Sequence, residues 1–444
     1  MGGAAKPTFF DGVGEAALTC RQPMATTAAV AAPPERMSIL RHLGLSAYWF
    51  GQFLVWQPVG TVLIQHQVDD LVPRDRQGTA LGVLIGIGGF VAMALPPLVG
   101  LYSDRLTTRW GRRRPIIVAG TVGAAAGLLV LMTSHSYVQL AIGYVILQVF
   151  FNAAGAAYAG LVPDVVPDAE FGRASAFLAT MVQVGSGAGL AVTAVLTGSI
   201  YPLAYLVVGA GALASMVPTI FAARGEGRVA IARAPSRPLW DSVREFFRPL
   251  RGGDFMWVVL TRLLMTAGIN SVAYFLFNFF RDVTKVKDPG SFTPIWFLVV
   301  LATAVPFGLL AGFYSDRFGR KRFVYASGLL QSVVALVFIV LFPTNLVLVF
   351  AAAALYGIGY GCYYAVDWAL ACDTLPDRAH SAKDMGLFHV AFTLPQTFVP
   401  LTMGVLLDYF NKQSANSGYR VIFSFAVVFL LLGTVLVSRI RSVR

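Results

Sequence analysis

Two ionisable residues stand where few are tolerated. Arg262 lies within an apolar run over about 255–280, and Asp367 within another over about 345–372. A charge inside a bilayer is costly, so such residues mark functional positions by default. At a rise of about 1.5 Å per residue, each sits about 12–14 Å from the end of its run that meets a basic loop. Paired, they could act as a proton-coupling switch, the carboxylate releasing the arginine on protonation. A permanent structural salt bridge is the competing reading. His389, about one turn into a run over 385–409, is a further titrating candidate, against the plainer role of hydrogen-bonded filler.

A second set is polar and aromatic. Trp49, Gln52, Trp56 and Gln57 cluster in one run, and Gln52 and Trp56, four apart, share a helical face. Amides that donate and accept, beside flat aromatic faces, suit hydroxyl-rich rings whose C–H faces are apolar. Asn152, Tyr158, Asn270, Tyr274, Tyr360, Tyr364, Trp368 and Gln396 extend the pattern. Aromatic residues at helical spacing are also ordinary packing, and Trp49 and Trp296 could be interfacial anchors.

The elements that must position these residues are membrane helices. Hydrophobic residues make up 57% of the 444, charged residues 13%, and mean hydropathy is +0.68. Soluble domains carry roughly 25% charge. At about 20 apolar residues per crossing, the chain divides into about twelve spans, near 43–65, 79–101, 115–134, 137–162, 174–198, 201–223, 255–280, 293–314, 322–342, 345–372, 385–409 and 420–438. With both termini inside, about 26 Lys and Arg residues face the cytoplasm and about 7 the exterior. The net charge of +12 therefore reports topology and some affinity for lipid headgroups, not nucleic-acid binding. The first 36 residues lack the apolar core of a signal peptide and read as a disordered tail. Cys20, Cys362 and Cys372 make no disulfide framework. No zinc spacing, P-loop or nucleophile elbow is present, so the sequence gives no basis for an enzyme, a metal or another cofactor.

The chain repeats itself. Gly100-Leu101-Tyr102-Ser103-Asp104-Arg105, followed by Gly111-Arg112-Arg113-Arg114-Pro115, is echoed by Gly312-Phe313-Tyr314-Ser315-Asp316-Arg317 and Gly319-Arg320-Lys321-Arg322. Asp104 and Asp316 are 212 positions apart (316 − 104). A second echo pairs Asp164 with Asp373, 209 apart (373 − 164). The arginine-rich stretch 224–253 divides the spans six and six. Within it Leu239, Trp240, Val243, Phe246 and Phe247 recur at helical spacing, so a short amphipathic helix is expected over 238–249. The expected order is a tail (1–36), a six-helix bundle (37–223), a linker (224–253) and a second six-helix bundle (254–444), an all-α membrane protein of two pseudo-symmetric halves. Parallel repeats of this kind place a substrate path between the halves.

The GxxxDRxGRR pattern between spans two and three, repeated more weakly between spans eight and nine, resembles the signature of the major facilitator superfamily. The form SDR followed by the insert Leu106, Thr107, Thr108, Arg109 and then GRRRP is similar to the plant sucrose/proton symporters and their animal and bacterial relatives. So is Leu387-Phe388-His389-Val390-Ala391-Phe392-Thr393-Leu394-Pro395-Gln396. The resemblance implies alternating access, with a cavity lined by spans one, four, seven and ten. It also implies a latch: Asp104 would accept from free N–H groups at the start of span eleven, and Asp316 from those at the start of span five. Gly100 and Gly312 would permit close helix approach, and Arg105, Arg112, Arg113, Arg317 and Arg320 would complete the hinges. The sucrose carriers hold an Asp and an Arg in span four where Gln148 and Ala159 stand here. Proton coupling would then have moved, for instance to Asp367. The expected partners are a small polar solute such as a sugar or glycoside, protons and membrane lipid, with the chain working as a monomer in a bacterial cytoplasmic membrane. A drug/proton antiporter is the alternative, although Val184-Gly185-Ser186-Gly187-Ala188-Gly189 lacks the proline of the exporter motif and fits helix packing. A non-transporting receptor is the other.

Overall fold

In a bilayer every backbone polar group needs an internal partner, which drives each long apolar run into a helix. Four helices open on side-chain caps. Ser38 accepts from the Arg41 N–H and Ser136 from Gln139, both at 3.2 Å; Asp288 accepts from Ser291 at 3.2 Å and Asn345 from Val347 at 2.9 Å. The computed structural model describes residues 37–103, 106, 108–167, 170–196, 198–224, 226, 247–375 and 381–442, without the side chains of Leu101, Phe171, Pro249, Asp316 and 381–386. The expected tail, most of the 238–249 helix, and Asp104 and Arg105 lie outside those residues.

The helices are α1 (Ile39–Pro58), α2 (Ile64–Leu71), α3 (Gln77–Ser103), α4 (Arg114–Met132), α5 (Tyr137–Val165), α6 (Phe171–Val195) and α7 (Pro202–Ala222). The second half contributes α8 (Asp254–Ala273), α9 (Leu276–Phe279), α10 (Pro289–Phe318), α11 (Arg320–Leu341), α12 (Leu346–Asp373), α13 (Ser381–Gln413) and α14 (Ser417–Leu436). A π-helical turn, Val59–Leu63, joins α1 to α2, so the two form one interrupted span. Another, Phe280–Thr284, follows α9 and completes the seventh span.

Among the described residues eleven helices are long and apolar enough to cross a membrane. The α1–α2 stretch is outside that set because Gln52, Gln57 and its glycines dilute its hydropathy; with it the expected twelve are accounted for. The spans begin and end within about four residues of their expected limits except the first, which runs on to Leu71.

The GxYSDR segments stand at one face of the bundle, here the hinge face. At the opposite, far face the halves are zipped together along α3 and α13. A Cβ on Gly78 would lie 2.7 Å from the Gly404 carbonyl oxygen, and one on Gly82 would collide with the carbonyl of Pro400. Gly86 and Gly89 continue the stripe against Thr397. Only glycine allows backbones this close. Gly100, at the other end of α3, has nothing within 4 Å of its would-be Cβ, and neither has Gly312. The expectation that those two glycines seat a close helix crossing does not hold in this conformation, because neither position faces another helix within contact distance.

Candidate functional site: a central cavity between two gates

The cavity is built from both halves. Trp56, Val59 and Gly60 come from the first span, Gly88 and Gly89 from α3, Tyr144 and Gln148 from α5, Tyr274 from just beyond α8, and Gln396 from α13. They bound a cavity of about 50 Å³, below the roughly 300–1,000 Å³ typical of small-molecule sites, so a solute the size of a sugar needs the lining to part further than in this conformation. No charged residue is among those that line it. Two amides, two phenols and one indole supply neutral donors and acceptors beside aromatic faces. Glycine at 88 leaves room for that lining: a Cβ there would stand 2.5 Å from the Gln148 amide and 2.7 Å from the Tyr144 hydroxyl, so both side chains would have to move.

Of the residues singled out by sequence, Trp56, Tyr274 and Gln396 meet in this cavity. Asn152 lies one turn from it, its amide donating to the Gln148 side chain at 2.9 Å and so fixing that amide's orientation. Gln52 packs instead against Gly155 of α5. Tyr158 is a correction. It is wholly buried and its hydroxyl donates to the Leu45 carbonyl at 2.8 Å, tying α1 to α5 away from any solute. Trp296 is another correction: it is fully buried and its indole donates to Val349 at 3.1 Å, so it anchors nothing at an interface. Trp49 lies against Tyr158, ring centroids 6.2 Å apart. No residue of α12 lines the cavity, in contrast to the expected four lining spans. Tyr144 was missed, although its spacing of four from Gln148 was the available signal.

Below the cavity, toward the hinge face, Arg262 of α8 and Asp367 of α12 form a buried ion pair, 8% and 2% exposed. The guanidinium also lies over the Phe388 ring at 3.8 Å and the Phe392 ring at 5.1 Å, a cation–π cradle supplied by α13. Asn270, two turns along α8 from Arg262, is buried with its amide nitrogen unpartnered. Tyr364 lies between Tyr360, tilted against it at 4.6 Å, and Phe392, edge-on at 6.1 Å. Trp368 is 58% exposed with its edge on Phe388, and His389, next in sequence to Phe388, is exposed as well. These three therefore surround the ion pair and not the central cavity.

At the hinge face Arg112 and Arg113 both hold Asp164, at 2.7 and 2.8 Å. Glu226, which the sequence reading missed, accepts from the N–H groups of Arg112, Arg113 and Arg114, so its carboxylate caps the start of α4. Gly111, at φ 102°, supplies the turn that aims those N–H groups. In the second half Arg320 holds Asp373 at 2.7 Å. Arg317 is exposed, over the Phe318 ring. The side chain of Asp316, with Asp104 and Arg105, is outside the described set. At the far face Arg281 pairs with Asp69 and with Asp282 at 2.7 Å, and Lys412 lies 3.4 Å from Asp75.

Comparison with known proteins adds the relationship. Residues 78–309 and 289–444 match the family model described as Major Facilitator Superfamily. The chain is 32% identical over 102 residues to lactose permease of Lactobacillus helveticus, an alignment spanning 21% of this chain and 16% of that protein. It is 57% identical over 35 residues to sucrose transport protein SUT1 of Oryza sativa subsp. japonica, 8% of this chain and 6% of that one. The chain thus matches only a small part of the length of these relatives. Among solved structures, a bacterial homolog of the human lysosomal transporter Spinster, in an inward-facing and occupied conformation, superposes with a TM-score of 0.70 at 13% identity. That match covers 91% of this chain and 96% of the homolog.

Proposed function

The chain belongs to the major facilitator superfamily, and on that premise we propose that it takes up an uncharged, hydroxyl-rich solute such as a sugar or glycoside in symport with protons. The observation that carries this reading is the lining of the central cavity. Trp56, Tyr144, Gln148, Tyr274 and Gln396, drawn from both halves, offer hydrogen bonds and aromatic faces without a formal charge. An ionic solute would lose its hydration there without gaining a counter-ion. Similarity to proteins named as a lactose permease and a sucrose transport protein supports the same class.

In this reading the cavity is served alternately from the two faces. Protonation of Asp367 frees Arg262, which couples the proton to the change of state, with His389 as a second titrating group. Gly100, Asp104, Arg105, Arg112 and Arg113, with Gly312, Asp316, Arg317 and Arg320, form the hinge-face latch in this reading. On the same reading the Lys- and Arg-rich hinge face lies in the cytoplasm of a bacterial cell, with both termini inside.

The test is counterflow in proteoliposomes with labelled disaccharides, nucleosides and a cationic dye. Saturable exchange of a disaccharide, with accumulation driven by an acid-outside pH gradient, is the expected result. Exchange of the dye alone would replace this reading with the efflux antiporter.

A further inference from the structure

We propose that Asp408 is a far-face clasp that joins the halves by capping α3, and that it must let go each time the far face opens. The inference rests on the alternating-access reading above. One carboxylate oxygen of Asp408 accepts from the Gly78 N–H at 2.9 Å, and the other accepts from Thr79 at 2.6 Å. Since α3 begins at Gln77, both N–H groups belong to the first turn, which has no acceptor within the helix and carries the positive end of its dipole. Asp408 belongs to α13, in the other half, 330 residues away in sequence. It is only 8% exposed, so its charge is held by those N–H groups and not by bulk water.

A second tie reaches the same helix start. The Gln77 amide donates to the Asp69 carboxylate at 2.9 Å, and that carboxylate also pairs with Arg281 of the second half. The first turn of α3 is thus gripped twice from across the interface. At its other end, 22 residues on, Gly100 has open space. That is a lever of about 33 Å at 1.5 Å per residue. Swinging the hinge end shut about the glycine stripe carries Gly78 and Thr79 away from Asp408. Hydrogen bonds of 2.6 and 2.9 Å are lost once the groups part by about another ångström. The clasp is therefore specific to the far-closed state and sets how often that state is occupied.

The full chain, with Cys20, Cys362 and Cys372 changed to Ser, would carry spin labels at Arg74→Cys and Ser414→Cys in lipid nanodiscs. Double electron–electron resonance then reads the far-face separation. Asp408→Ala is expected to raise the long-distance population several-fold over the parent. Thr79→Pro keeps the carboxylate but deletes one donor at a first-turn position where proline is tolerated, and it should act in the same direction. If the parent samples both distances and neither variant changes their ratio, the clasp is overturned. A shift with Asp408→Ala alone would assign the effect to Lys412 and Asp75, and also overturns the cap. Should Asp408→Ala fail to insert, the Thr79→Pro comparison decides. A parent fixed at one distance on both faces under every solute and pH would defeat the transporter reading itself, a result distinguishable from the others.

Discussion

Arg320 and Asp373 stand 2.7 Å apart at the second hinge, repeating the 2.7 Å contact of Arg112 with Asp164 at the first. The correspondence is geometric as well as sequential, and it shows what the duplicated motif does: each basic loop is stapled to the end of a helix two spans further on. The two staples differ in depth. Asp164 is 12% exposed and shared by two guanidinium groups, whereas Asp373, 39% exposed, is held among the described residues by Arg320.

That difference predicts unequal mutants. Asp164→Asn leaves Arg112 and Arg113 poorly compensated in a half-buried site, at a cost of about 3 kcal/mol. Asp373→Asn breaks a more solvated pair worth less than about 1 kcal/mol. Thermal unfolding in detergent should show a large fall in midpoint for the first and a small one for the second. Equal falls would mean that burial does not decide the strength of these staples.

The buried pair of Arg262 and Asp367 should behave non-additively. Either neutralisation alone strands a charge among Phe388, Phe392 and Tyr363, a loss of about 3–5 kcal/mol. The double variant Arg262→Gln with Asp367→Asn removes both charges and should recover much of that loss. In transport, Asp367→Asn is expected to keep solute exchange and lose proton-driven accumulation. Accumulation at the parent level would remove Asp367 from coupling.

Much of this was legible in the sequence, for identifiable reasons. Spans follow from length and hydropathy, and the meeting of Arg262 with Asp367 follows from equal depth together with the superfamily resemblance, which implies that spans seven and ten line one cavity. Tyr158 and Trp296 are not placed by sequence, because periodicity puts a side chain on a face without saying whether that face meets solute or another helix. The far-face network was missed for another reason. Asp408 lies at the extreme end of an apolar run, where a carboxylate reads as solvated, and only the position of the other half's α3 reveals that it is buried.

The cavity predicts a specific selectivity. Gln148→Ala removes an amide that Asn152 holds in place, and each lost hydrogen bond to a neutral solute is worth about 1 kcal/mol. The expected outcome is a roughly five-fold rise in KM with little change in the maximal rate. Trp56→Ala deletes an aromatic face and should cost more. Counterflow kinetics with the same solute separate the two, and unaltered KM in both would place the solute elsewhere.

Two glycines on one helix predict effects of opposite sign. A methyl group at Gly82 would meet the Pro400 carbonyl, part of a backbone that cannot easily yield, so Gly82→Ala penalises the far-closed arrangement. Overpacking of this kind costs about 1–3 kcal/mol, which is about 5- to 150-fold in population. Gly100→Ala meets nothing in this conformation. In the proposed cycle it would instead crowd the hinge face when that face closes, and so favour the conformation described here. Labelling of a far-face cysteine by an impermeant maleimide should rise in Gly82→Ala and fall in Gly100→Ala. Because both substitutions add the same methyl group to the same helix, a general loss of stability would move the two in the same direction. Only a helix pair that closes at one end as it opens at the other moves them apart.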